Sequence, residues 1–83
     1  MSENAQKKAL KQRVAAIPLE RKKEIVAFAT VEYKRFREIR PSLEDRPWVI
    51  AEARRVTREH FSIAEEELHW IIVAINKGAL WLG

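Results

Sequence analysis

The stretch Phe61–Gly78, FSIAEEELHWIIVAINKG, decides how the chain reads, because it signals a helix at both ends and is saturated with apolar residues between them. Ser62 suits an N-cap, and Glu65 three residues later completes a capping box in which each side chain satisfies the other's backbone N–H. Glu65, Glu66 and Glu67 fill the first turn, where the helix dipole favours negative charge. At the far end Lys77 falls in the last turn, and Gly78 can adopt the left-handed conformation that closes a helix. Ala64, Leu68, Ile71 and Ile75 recur on one face. From Trp70 to Ile75, however, apolar residues run all the way round, which predicts a helix enclosed by other helices or covered by a partner. This segment, about 63–77, is expected to be the central helix.

Upstream, the connection His60-Phe61-Ser62 is short, so the preceding helix should lie beside the central one. That helix is expected over 46–59, with Val49, Ala53 and Val56 facing inward and Trp48 and Ile50 flanking them. Its N-cap is either Asp45, with Pro47 in the first turn, or Ser42, with Asp45 at the third position. Pro41 ends the helix before it, since a residue preceding proline is pushed out of the α region. That long helix, 18–39, shows two apolar stripes, Val26-Ala29-Tyr33-Phe36 and Ile25-Phe28-Phe36-Ile39. A first helix over 5–16 places Leu10, Val14 and Ile17 on one face. Pro18 either kinks one long helix or separates two. Residues 1–4 are expected to be a frayed tail. The fold class is therefore all-α, a small bundle or orthogonal array of three to four helices, with residues 5–83 forming one domain.

Composition agrees. The 83 residues are 47% hydrophobic and 34% charged, with two Gly and three Pro, too little punctuation for an all-β chain. A chain this short buries only about 60–65% of the surface it exposes when unfolded, so its core is small. There is no Cys to form disulfides or thiolate metal sites, which fits a reducing compartment. MSENAQKKAL lacks the apolar core of a signal peptide, and the run Trp70–Ile75 is far shorter than the roughly 20 residues that span a bilayer. A cytoplasmic protein is expected. The formal net charge of +4 is divided unevenly: residues 1–40 hold eleven Lys and Arg against five Glu, and residues 41–83 hold five against seven acids.

Little in the sequence carries catalytic chemistry. Glu66-x-x-His69 has the spacing of a di-iron half-site, but such a centre needs a second copy and two more inward carboxylates. Ser2, Ser42 and Ser62 fall at a tail or at caps, with no oriented base beside them. Glycines at 78 and 83 cannot make a phosphate loop. The expectation is a non-enzymatic protein with no cofactor, no metal and no evident small-molecule substrate.

Two binding readings follow. The first is a protein-binding module, adaptor, regulator or inhibitor, that contacts a partner or a second copy of itself through the last helix and the C-terminal tail. Three Trp are a large apolar load for so small a core, and Trp is enriched at interface hot spots. Trp70, Val73, Trp81 and Leu82 supply the apolar contacts here, with Arg54, Arg55 and Arg58 as a charged rim. The alternative is nucleic-acid binding through the basic faces of the first two helices, using Lys7, Lys8, Lys11, Lys34, Arg35 and Arg37 against phosphates. A helix-turn-helix with the central helix as reader is disfavoured, because Glu65-Glu66-Glu67 would meet phosphate at its entering end. A membrane-surface role is also disfavoured, because the basic helices are not those that carry Trp70 and Trp81.

Overall fold

The computed structural model describes residues 2–75, with side chains from Ala5 onward. It is all-α: α1 (Ser2–Ala16), α2 (Leu19–Ile39), α3 (Arg46–Phe61) and α4 (Glu65–Ile75), with one 3₁₀ turn at Leu43–Asp45 and no strand among the described residues. The first helix begins at Ser2, earlier than the Ala5 start expected for it, so residues 2–4 are helical instead of a frayed tail. The expected closing residues Lys77 and Gly78 lie outside the described residues.

Pro18 separates two helices. It is extended, at φ −56° and ψ 144°, and its carbonyl accepts the Lys22 N–H that opens α2. The second proline break works as the sequence implies: Arg40, before Pro41, leaves the helical region at φ −128° and ψ 81°. Arg37 then folds its guanidinium over the exposed end, donating to the carbonyls of Ser42 at 3.0 Å and Arg40 at 3.4 Å. Ser42, and not Asp45, provides the side-chain cap, its hydroxyl accepting the Glu44 N–H of the 3₁₀ turn that runs into α3. Asp45 turns instead toward Arg40.

The entry to α4 corrects the expected capping box. Ser62 closes α3 in the left-handed region, φ 55° and ψ 48°, and donates its N–H to Arg58 O. With only two further residues before α4, the box shifts along the chain. Ala64 takes the cap position, and Glu67 reaches back to accept its N–H at 3.5 Å.

α4 packs against all three other helices, while α2 and α3 pair most extensively and α1 rests chiefly on α4. The core joins Val14 of α1, Ile25, Val26 and Ala29 of α2, and Leu68, Ile71 and Ile72 of α4. Leu10 of α1 and Val49 and Ala53 of α3 are also buried. Thr57, not Val56, completes the inner stripe of α3, because its hydroxyl returns a hydrogen bond to Ala53 O at 2.8 Å and can therefore be fully buried. Ile39, expected on the inner face of α2, lies beyond the core at 64% exposure.

Candidate protein-binding surface

An open groove of about 210 Å³ lies between α1 and α4. Trp70, Val73 and Ala74 come from α4, and Val14 and Ala15 from α1. The spacing of Trp70 and Val73 puts both on one side of α4, away from the fully buried Ile71 and Ile72. Both are half-buried. Lys11 stands at one edge with its Nζ 4.7 Å from the centre of the Trp70 ring, and Lys22 of α2 reaches the groove from the other helix. Neither lysine pairs with a carboxylate among the described residues. His69 meets the Trp70 ring edge-on at 5.3 Å.

Of the residues the sequence nominated for an apolar interface, Trp70 and Val73 are thus brought together. Trp81 and Leu82 lie outside the described residues. The three arginines of α3 are engaged elsewhere and none lines the groove. Arg54 and Arg58 converge on Glu65 at the start of α4, at 3.1 and 2.7 Å. Arg55 stays within α3, bridging Glu52 and Glu59. Its hydrogen bond holds the Glu52 carboxyl below the usual glutamate range, and the same contact raises the Arg55 guanidinium.

The basic residues divide in the same way. Lys7, Lys8 and Lys11 share an exposed strip of α1 that borders a shallow concavity with Gln12 and Ala15. Lys34 is exposed, but Arg35 is bound by Glu32, whose two carboxylate oxygens both lie 3.0 Å from its Nη1, and Arg37 caps α2. The six cations do not form one unengaged surface.

A second apolar area, missed in the sequence, lies at the corner between α2 and α3. Leu43 is 77% exposed and lines an open pocket with Arg46, Pro47 and Ile50. Nearby Trp48 is 40% exposed, stacked edge-on against Phe36 and covered by Arg40 at 4.8 Å. Leu43, a large apolar residue inside the otherwise polar turn Pro41–Arg46, is the signal that could have found it.

Among the described residues no three His, Cys, Asp or Glu side chains converge as a metal site, and no helix is long and apolar enough to cross a membrane. Among the described residues, fold and surface together define a small all-α protein of four helices with a charge-flanked apolar groove between α1 and α4. No protein-family model, curated protein or solved structure matches the chain.

Proposed function

We propose that the chain is a small non-enzymatic protein-binding module, an adaptor, regulator or inhibitor, that docks a partner protein or a second copy of itself on the α1–α4 groove. One observation carries this reading: α4 packs on three helices, yet Trp70 and Val73 remain half-exposed beside each other in an apolar depression. Anchor residues of protein interfaces are of this kind, a large aromatic in a partly enclosed apolar setting. Trp81 and Leu82, close behind α4 in sequence, extend the proposed contact. A Cys-free chain suits the cytoplasm, which is the proposed setting.

Photo-crosslinking from position 73 in extracts of the cells that make the protein tests this. The expected product is an adduct with one protein, or with a second copy, that disappears in Trp70→Ala while helical content is retained. The second reading, nucleic-acid binding, draws on Lys7, Lys8, Lys11 and Lys34, which lack carboxylate partners among the described residues. It takes over if position 73 yields no protein adduct and single-stranded DNA binds with a salt slope that Lys7→Gln, Lys8→Gln and Lys11→Gln together flatten.

A further inference from the structure

We infer that the partner element is an acidic amphipathic helix, which seats one large apolar side chain against Trp70 and Val73 and sets carboxylates against Lys11 and Lys22. The inference rests on the protein-binding reading and adds the chemistry of the partner.

Size sets the first constraint. At about 210 Å³ the groove is smaller than small-molecule sites, which run about 300–1,000 Å³. It has room for a single anchor side chain, as a helix laid into an apolar groove supplies.

Charge sets the second. Of the three acids of α4, Glu65 is held by Arg54 and Arg58 and Glu67 by Arg13. Glu66, one turn before Trp70 and without an ion pair among the described residues, lines the neighbouring concavity with Leu10 and Arg13 and not the groove itself. Among the described residues Lys11 and Lys22 are the charged groups lining the groove, and Lys7 and Lys8 continue the positive strip along α1. An apolar floor edged by unpaired cations is complementary to a helix whose apolar stripe is flanked by Asp or Glu. The chain's own segment 76–83 fits poorly, because it contains Lys77 and no Asp or Glu. A single strand of nucleic acid would satisfy the lysines, but one face of the Trp70 ring is already occupied by the Lys11 ammonium and the neighbouring walls are aliphatic. Base stacking, on which such binding relies, has little platform here.

The test uses the full chain and two labelled synthetic helical peptides of about 18 residues, long enough to hold helical structure on docking. Both carry the same leucine stripe; one is flanked by Glu and the other by Gln. Fluorescence anisotropy is expected to show the Glu peptide binding at least about ten-fold more tightly than the Gln peptide. The double variant Lys11→Gln/Lys22→Gln should remove that difference, and Trp70→Ala should abolish binding of both, with circular dichroism confirming the helical content of each variant. Equal binding of the two peptides to the native chain overturns the inference and leaves the protein-binding reading standing. Binding of neither peptide also overturns it, and the crosslink from position 73 then decides the broader reading separately. Displacement of the Glu peptide by oligo-dT through the same two lysines would make the partner a nucleic acid and end both.

Discussion

Lys11 of α1 holds its ammonium 4.7 Å from the centre of the Trp70 ring of α4, tying together the two helices that flank the groove. The contact is exposed on the lysine side, where cation–π pairs contribute about 0.5–1 kcal/mol. Lys11→Met keeps the aliphatic stem and removes the charge. Chemical denaturation is expected to show a loss within that range. A loss several times larger would mean that Lys11 acts through packing, and the charge-reading role of the groove edge would lose its basis.

Glu65 and Glu66 occupy the same first turn of α4, so both interact favourably with its dipole, but only Glu65 meets Arg54 and Arg58. Comparing Glu65→Ala with Glu66→Ala therefore isolates the ion pairs. Partly exposed pairs are individually weak, and the two here should make Glu65→Ala costlier by about 1 kcal/mol. The gap should shrink in high salt. An equal cost for both variants in urea titrations would leave the dipole as the sole contribution.

Ser62 is the one non-glycine residue with positive φ among those described. Its exposed side chain makes no hydrogen bond in the left-handed conformation, whereas glycine reaches that region without a Cβ penalty. Ser62→Gly is expected to stabilise the fold by about 0.5–1 kcal/mol despite the greater chain entropy of glycine when unfolded. Thermal unfolding of the variant at a lower temperature than the parent would contradict the assigned turn.

The fold was legible wherever one local cause dominates. Pro41 ends its helix, and Leu10 with Val14, or Val49 with Ala53, mark inner faces by spacing alone. Pro18 only required a break or a kink, and its separation of two helices came from the structure. Reading failed where a residue's local preference met a tertiary demand. Ser62 has the chemistry of an N-cap, but the short link between α3 and α4 needs a left-handed residue there, and the cap moves to Ala64 and Glu67. Thr57 reads as polar until its hydroxyl finds the carbonyl one turn back. The site shows the same division. Trp70 and Val73 share a side of α4 by their spacing, whereas Lys22 joins them from a different helix, a relationship no local pattern contains. Arg54 and Arg58 look like solvent-facing rim residues in sequence and are drawn to Glu65 by the way α3 meets α4.

Glu52 offers a pH-dependent check on the surface of α3. Arg55 donates to its carboxylate at 2.8 Å, which lowers its pKa, with direct charge attraction adding to the effect. A depressed carboxylate contributes stability above its unfolded pKa and loses it as pH falls through the folded value. The Glu52 contribution is therefore intact at neutral pH and lost only under acid conditions below the usual glutamate range. Carboxyl-carbon NMR titration should place Glu52 below its value in the unfolded chain, and Arg55→Gln should move it upward. An unchanged midpoint in Arg55→Gln would show that the hydrogen bond is not populated in solution.

α1 is the helix with the weakest hold on the rest. It rests chiefly on α4, and Leu10 and Val14 are the only buried side chains described on it. Helices with few buried contacts open at lower free energy than the global transition, so α1 should unfold locally while α2, α3 and α4 stay paired. Native-state hydrogen exchange is expected to show the Val14 and Ala15 amides less protected than those of Ile71 and Ile72. Leu10→Ala should lower protection across α1 first, even though truncating a leucine in the core elsewhere costs about 2–5 kcal/mol and would act globally. Because Lys11, Val14 and Ala15 form one wall of the groove, a bound acidic helix should raise protection in α1 more than in α3. Uniform protection across all four helices, with or without the peptide, would mean that α1 opens only with the whole fold and that groove occupancy is not coupled to its docking.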